Sequence, residues 1–179
     1  INVRDKELIE QSYFLEGLNT QGDLQAMISQ LGTFDRFLRE SGPDSNKGMK
    51  LLFYGPPGTG KSELARYIAG TLNRELICKR SSDLLDPYVG MTERNLAHAF
   101  FEAESQEAVL VMDEVDSILA SRDRAHHTWE VSFTNEILAQ MERFRGIFIC
   151  TTNRLMDLDQ ASIRRFNFKI GFNFLKPEG

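Results

Sequence analysis

The sequence predicts a three-layer α/β sandwich: a five-stranded parallel sheet with helices on both faces. Three observations lead there. Short apolar runs alternate with helix-patterned segments along most of the chain, which is how parallel strands joined by crossover helices read. One junction, after the apolar run Lys50-Leu51-Leu52-Phe53-Tyr54, is a glycine-rich turn that opens a helix. Another run, Val109-Leu110-Val111-Met112, is apolar at four successive positions, as suits a central parallel strand covered on both faces.

The elements follow in order. Leu24, Met27, Ile28, Leu31, Phe34 and Leu38 recur at helical spacing, so 22–40 reads as an amphipathic helix. Ser41-Gly42-Pro43-Asp44-Ser45-Asn46 is a loop. Strands are expected near 50–54, 75–79, 108–112, 147–151 and 168–173. Helices near 61–73, 92–106, 131–143 and 159–165 separate them. Phe133, Ile137, Met141 and Phe144 form one stripe of a helix and read as core. A chain of 179 residues is one domain with enough length to bury a core. Its domain is expected over 21–176, preceded by an extension over 1–20.

The glycine turn is specific. Gly55-Pro56-Pro57-Gly58-Thr59-Gly60-Lys61-Ser62 fits G-x-x-x-x-G-K-[ST], the phosphate-binding loop of nucleoside triphosphatases. Its glycines let the backbone curl so that successive N–H groups point inward. The helix that follows, opening at Lys61, Ser62 and Glu63, adds further donors and a positive dipole end. Lys61 is placed to reach the β- and γ-phosphates, and Ser62 to ligate Mg²⁺.

Downstream residues complete the constellation. The strand Val109–Met112 ends in Asp113 and Glu114. Asp113 can hold Mg²⁺, usually through water, because Mg²⁺ keeps several of its waters. Glu114 is placed to take a proton from an attacking water. Asp116 reads as the cap of a helix beginning near Ser117 rather than as a ligand. The next strand, Gly146 to Thr152, ends in Asn153, either a water-orienting amide or an ordinary turn asparagine. In a parallel sheet, strand C-termini converge on one edge, where ligands bind. Arg164 and Arg165 then close a short helix. Arginine suits charge building on a transferring phosphoryl group, but an arginine pair at a helix C-terminus is also favoured by the dipole alone.

Together these residues resemble the AAA+ ATPase family, from about Leu18 to about Phe174. Gly-Pro-Pro-Gly-Thr-Gly-Lys-Ser matches its nucleotide loop (Walker A) and Val-Met-Asp-Glu its second motif (Walker B). Thr151-Thr152-Asn153 looks like its first sensor, and Arg164-Arg165-Phe166 like its arginine-finger segment. The resemblance implies a P-loop NTPase fold, and a large nucleotide-binding subdomain in which Gly55 to Glu63 hold ATP or ADP with Mg²⁺. It implies hydrolysis to ADP and phosphate, with Glu114 and Asn153 acting on water. The arginines act on a neighbouring subunit in a ring, a homo-oligomer and by family a hexamer.

A finer likeness is to the protein-remodelling branch, which includes membrane-protease, segregase and microtubule-severing ATPases. Asp83-Leu84-Leu85-Asp86-Pro87-Tyr88-Val89-Gly90 looks like the loop that lines the channel of such rings and grips polypeptide, with Tyr88, Val89 and Gly90 at its tip. The alternative for Tyr88 is a core aromatic, against which Pro87 and Gly90 argue for an exposed loop. The polar stretch from Ser121 to Glu130 resembles a second such loop or is a plain surface loop. Gly17-Leu18-Asn19 is a candidate for the adenine pocket.

Two departures stand out. The family's arginine segment often reads Arg-Pro-Gly-Arg-Phe, whereas the two arginines here are adjacent, which leaves open the one that reaches the neighbour. The family's helical lid is expected to begin where this chain ends, at Lys176-Pro177-Glu178-Gly179, so 177–179 read as a truncated connection to a missing lid.

Composition bounds the alternatives. The net charge of −5 with no basic stripe gives no strong nucleic-acid signal. A clamp-loader or initiator type of AAA+ ATPase shares the ATP site but not the aromatic loop. A small-molecule kinase needs a second substrate pocket, and a scaffold without turnover has no need of Lys61, Asp113 and Glu114 together. No run of 18 apolar residues is present. In the family's strand order the strand bearing Asp113 separates those of Cys78 and Cys150. Two inter-strand steps of about 9–10 Å exceed the reach of a disulfide, about 7 Å between Cα atoms. Both cysteines therefore read as buried small hydrophobes, which suits a cytoplasmic or other reducing compartment. His126 and His127 lack the neighbours of a zinc site.

Overall fold

The computed structural model describes residues 15–41, 48–86, 88, 90–117, 119 and 128–174. Six strands form one sheet: β1 (Thr20–Gln21), β2 (Met49–Tyr54), β3 (Leu76–Arg80), β4 (Val109–Asp113), β5 (Ile147–Thr152) and β6 (Phe168–Phe172). The helices are α1 (Leu24–Ser41), α2 (Lys61–Thr71), α3 (Ser81–Leu84), α4 (Met91–Ser105), α5 (Thr128–Arg143) and α6 (Gln160–Ile163). The strand order is β1-β6-β2-β5-β4-β3. All neighbours are parallel except the pair β1–β6.

Alternation along the strands builds the three layers. Leu51, Phe53, Val109, Val111, Ile147 and Ile149 pack with Leu24, Met27 and Leu31 of α1 and Leu64, Ala65 and Ile68 of α2. Their immediate neighbours Leu52, Leu110, Met112, Phe148 and Cys150 pack with Leu96 and Phe100 of α4 and Phe133, Ile137 and Met141 of α5. Successive side chains of a strand point to opposite faces, so these apolar runs serve two cores at once. The predicted stripe Phe133, Ile137, Met141 and Phe144 is buried. Phe144 meets Phe100 edge-on with ring centroids 5.3 Å apart, a favoured aromatic geometry.

Several features depart from the sequence expectation. The sheet has six strands rather than five. β1 is two residues long, too short for a periodic signal, and crosses the expected boundary at residue 20. The segment after residue 14 therefore packs into the sheet through Thr20↔Phe172 and Gln21↔Gly171. The helix expected over 159–165 is a single turn, because Phe166 is buried and the chain must enter β6 at Phe168. Cys150 is buried, but Cys78 is exposed, which corrects its reading as a buried hydrophobe. β3 is the edge of the sheet. Both thiols are free, with β4 between their strands. Residues 1–14, 177–179, His126 and His127, and most of the stretch Ser121–Glu130 lie outside the described residues. Among the described residues, no helix is long and apolar enough to cross a membrane. Among those residues, too, no group of three His, Cys, Asp or Glu converges as a metal site.

The stripe of α1 continues through Phe34, partly buried against the core, and beside it Asp35 is only 6% exposed. Its carboxylate pairs with Arg74 beyond α2 and with Arg39 at 2.9 Å. Arg74 also donates to the carbonyl of Glu107, and Arg39 to that of Leu72 at 3.1 Å. The cluster ties α1 to the ends of α2 and α4. The neighbouring carboxylate raises the Arg39 pKa, chiefly through the hydrogen bond. Removing one member of a buried pair strands the other, at a cost of about 3 kcal/mol or more. Asp35→Ala is expected to lower the melting temperature by about 6–12 °C. A shift below about 2 °C would show that the cluster bears little on stability.

Candidate active site

The site lies at the C-terminal ends of β2, β4 and β5. The turn after β2 curls sharply. Gly55 has φ of 143°, and a Cβ there would collide with the carbonyl oxygen of Phe172 on β6. Gly60 has φ of 90° and precedes the first turn of α2. A Cβ at Gly60 would lie 2.8 Å from Leu18 Cδ2, so any larger residue is excluded by both conformation and space. Leu18 of the adenine-pocket candidate therefore sits against the phosphate loop, 5% exposed. Gly17 is also buried, and Asn19 is tied to the end of β6 through Asn173 N–H at 2.7 Å.

Within the loop Thr59 is buried and donates to the carbonyl of Pro56 at 2.7 Å. Pro57 and Gly58 are exposed. Glu63 turns its carboxylate outward to Arg66, so its backbone, not its side chain, is the part suited to a phosphate.

Lys61 is 7% exposed. Its ammonium donates to the carbonyls of Gly55 and Pro56, each at 2.7 Å, and to Asn153 Oδ1 at 2.9 Å. Burial pushes its pKa down, and the carboxylates of Asp113 and Asp116 oppose that. Lys61 and Asn153 are 92 residues apart in sequence. They meet because β2 and β5 are adjacent and in register, with Tyr54 opposite Thr152.

Ser62 Oγ donates to Asp113 Oδ2 at 3.4 Å. A hydroxyl and a carboxylate facing each other are the hard oxygen donors that Mg²⁺ takes. Asp113 Oδ1 accepts from Thr151 on β5, and Ser81 Oγ donates to the Asp113 carbonyl at 3.1 Å. Glu114 is exposed and has φ of 58°. A non-glycine residue there costs on the order of 1–3 kcal/mol, a strain that tends to mark functional sites. Its N–H donates to Thr151 Oγ1 at 3.2 Å, which holds the conformation.

Among the described residues, Asp116 caps no helix. It lies in a 3₁₀ turn, Val115–Ser117, and its Oδ1 accepts from Thr152 Oγ1 and from Arg154 N–H, the latter at 3.1 Å. The contacts of Thr151, Thr152 and Ser81, and this use of Asp116, escaped the sequence reading. Each contact joins residues more than 30 positions apart, and no local pattern announces it.

The remaining candidates lie apart from this cluster. Tyr88 is 75% exposed, so it is not a core aromatic. Its N–H donates to Asp86 Oδ1 at 2.9 Å, and Gly90, with φ of 82°, leads into α4. Val89 lies outside the described residues. Arg164 and Arg165 follow α6, whose Asp159 cap accepts from Ser162 N–H at 3.1 Å. Arg165 pairs with Glu142 of α5 at 2.8 Å. Arg164 is exposed, and its guanidinium has no partner among the described residues. Among those residues, neither arginine bonds to the phosphate loop.

Comparison with known proteins agrees with this geometry. Residues 51–174 match the family model described as "ATPase family associated with various cellular activities (AAA)". The chain is similar to the ATP-dependent zinc metalloprotease FtsH 2 of Thermoanaerobacter sp. (strain X514), 30% identical over 154 residues, covering 81% of this chain and 30% of that protein. It is similar to spastin of Drosophila melanogaster, 31% identical over 128 residues, covering 67% of this chain and 17% of spastin. An uncharacterized protein, ORF529 of Acidianus two-tailed virus, is 38% identical over 139 residues, covering 68% of this chain and 26% of its own length. The chain thus spans less than a third of each of these relatives.

Proposed function

We propose, from the premise that this chain belongs to the AAA family of ATPases, that it binds ATP and hydrolyses it to ADP and phosphate. The proposal extends to what hydrolysis drives: remodelling of a polypeptide drawn through a ring of subunits. The observation that carries the reading is the meeting of Lys61, Asn153, Ser62 and Asp113 at the ends of three adjacent strands.

The backbone from Gly55 to Glu63 wraps the phosphates, and Lys61 turns its ammonium from the loop carbonyls to the β- and γ-phosphates. Ser62 and Asp113 would hold Mg²⁺, which supplies neutralisation of charge on the phosphate oxygens. Glu114 accepts the proton of the attacking water, and Asn153 orients that water. Adenine lies against Leu18. Tyr88 offers an exposed aromatic ring to a polypeptide. Similarity to a metalloprotease that depends on ATP favours a protein substrate over nucleic acid. Arg164 is the better placed of the two arginines to reach a neighbouring subunit, because Arg165 is held by Glu142.

Phosphate release by the full-length protein, with and without Mg²⁺ and an unfolded polypeptide, tests the reading. Stimulation by polypeptide supports it; stimulation by DNA alone would replace it with the DNA-associated type. Elution as a larger species in ATP than without nucleotide is expected on size-exclusion chromatography.

Lys61→Ala is expected to raise the dissociation constant for ATP about tenfold or more, since hydrogen bonds to charged groups contribute about 1.5–3 kcal/mol. Unchanged binding by calorimetry would remove the loop assignment.

A further inference from the structure

We propose that Asp116 and Thr152 form a clamp that positions Asn153 relative to Glu114. The proposal rests on the reading of Asn153 as the residue that orients water.

The contacts bracket Asn153 on both sides. Asp116 Oδ1 accepts from the hydroxyl of Thr152, the residue before it, and from the N–H of Arg154, the residue after it, at 3.1 Å. Arg154 N–H is shared with Thr152 Oγ1 at 3.0 Å. The peptide carrying Asn153 is thus closed over a single carboxylate oxygen, and its amide projects to Lys61 Nζ at 2.9 Å. Both supports are anchored. Thr152 is fully buried, and so is Val115, which precedes Asp116. Leu119 N–H donates to the Val115 carbonyl at 2.9 Å and continues the turn.

Glu114 and Asn153 belong to different strand ends, so their spacing is set by what joins those ends. Two links do so. Thr151 Oγ1 donates to Asp113 and accepts from Glu114 N–H at 3.2 Å. The second link is the clamp. Asp116 is two residues from Glu114, so one short turn carries the base and also grips the loop of its partner. An ionised carboxylate makes stronger hydrogen bonds than a neutral group, which suits a residue holding two donors. A metal role is disfavoured, because Asp116 Oδ1 is committed to those donors and Asp113 is the carboxylate that faces Ser62. Asp116 acts as a positioning residue, through Thr152 and the Arg154 N–H.

The test uses the full-length protein. Asp116→Ala and Thr152→Val are expected to lower kcat for ATP hydrolysis about 10-fold to 100-fold, the scale of a misplacement near 1 Å. ADP affinity should stay within about twofold, because the phosphate loop is untouched. Asp116→Asn keeps an acceptor oxygen and should recover most of the rate; it also serves if the alanine variant folds poorly. In an Asn153→Ala background, Asp116→Ala should cost nothing further, since a clamp with nothing to hold has no effect. Hydrogen exchange at the Arg154 amide should quicken about tenfold in Asp116→Ala while the amides of Ile147–Thr152 keep their protection. Additive losses in the Asn153→Ala background, or unchanged exchange at Arg154, would overturn the clamp. Normal turnover by Asn153→Ala would remove the water-orienting reading and the clamp with it. Slow Asn153→Ala beside normal Asp116→Ala rejects the clamp alone.

Discussion

Arg164→Ala in the assembled full-length protein is expected to cut ATP turnover by about 10³-fold or more, the scale for an arginine supplied across an interface. Arg164 is the cap residue at the end of α6, and its guanidinium has no partner among the described residues. If a neighbouring subunit presents its nucleotide to this surface, an exposed guanidinium without a described partner needs no ion pair broken to engage it. Arg165 must first leave Glu142, 2.8 Å away. Arg165→Ala therefore loses an exposed ion pair and should cost less than about fivefold. The reverse ranking would transfer the role to Arg165. Mixing subunits isolates the action in trans. Rings of Glu114→Gln subunits with Arg164→Ala subunits contain some interfaces that join an intact Glu114 to an intact Arg164. Their turnover should exceed that of either variant alone. With mixed rings confirmed, no rise would return Arg164 to a helix-end residue favoured by the dipole.

Glu114→Gln is expected to slow hydrolysis by about 10²-fold or more while ATP binding stays nearly intact. The amide keeps the size of the carboxylate and removes the base. The backbone argues for a role beyond packing, because Glu114 is exposed yet held at φ of 58°. Strain of this kind clusters at functional sites, which motivates the test. Its anchor, the hydroxyl of Thr151, does not depend on the carboxylate. The variant should therefore fold, with a melting temperature within about 2 °C of the parent. ATP should remain bound and uncleaved in a single-turnover assay. Normal cleavage would take the base role from Glu114.

The sequence by itself determined the fold class, the phosphate loop and the two carboxylates at the end of β4. Those signals are local. A glycine turn between strand and helix dictates the backbone curl that Gly55 and Gly60 adopt, and unbroken apolar runs announce strands covered on both faces. Likeness to a family added the sensor and arginine segments as expectations, and Asn153 of the first accepts from Lys61 of the loop.

Tertiary structure alone decided which side chains meet. Strand order placed β5 between β2 and β4, so that Thr151, Thr152 and Asn153 face Asp113, Asp116 and Lys61. It also set Cys78 on an exposed edge, and it buried Asp35 against Arg74, a pairing that helical periodicity does not announce. The physical reason is that periodicity encodes whether a residue is buried, not what it is buried against. Hydrogen bonds and ion pairs between segments 36 to 92 residues apart depend on register between elements. That register is settled by packing both cores at once, and no single stretch of chain carries it.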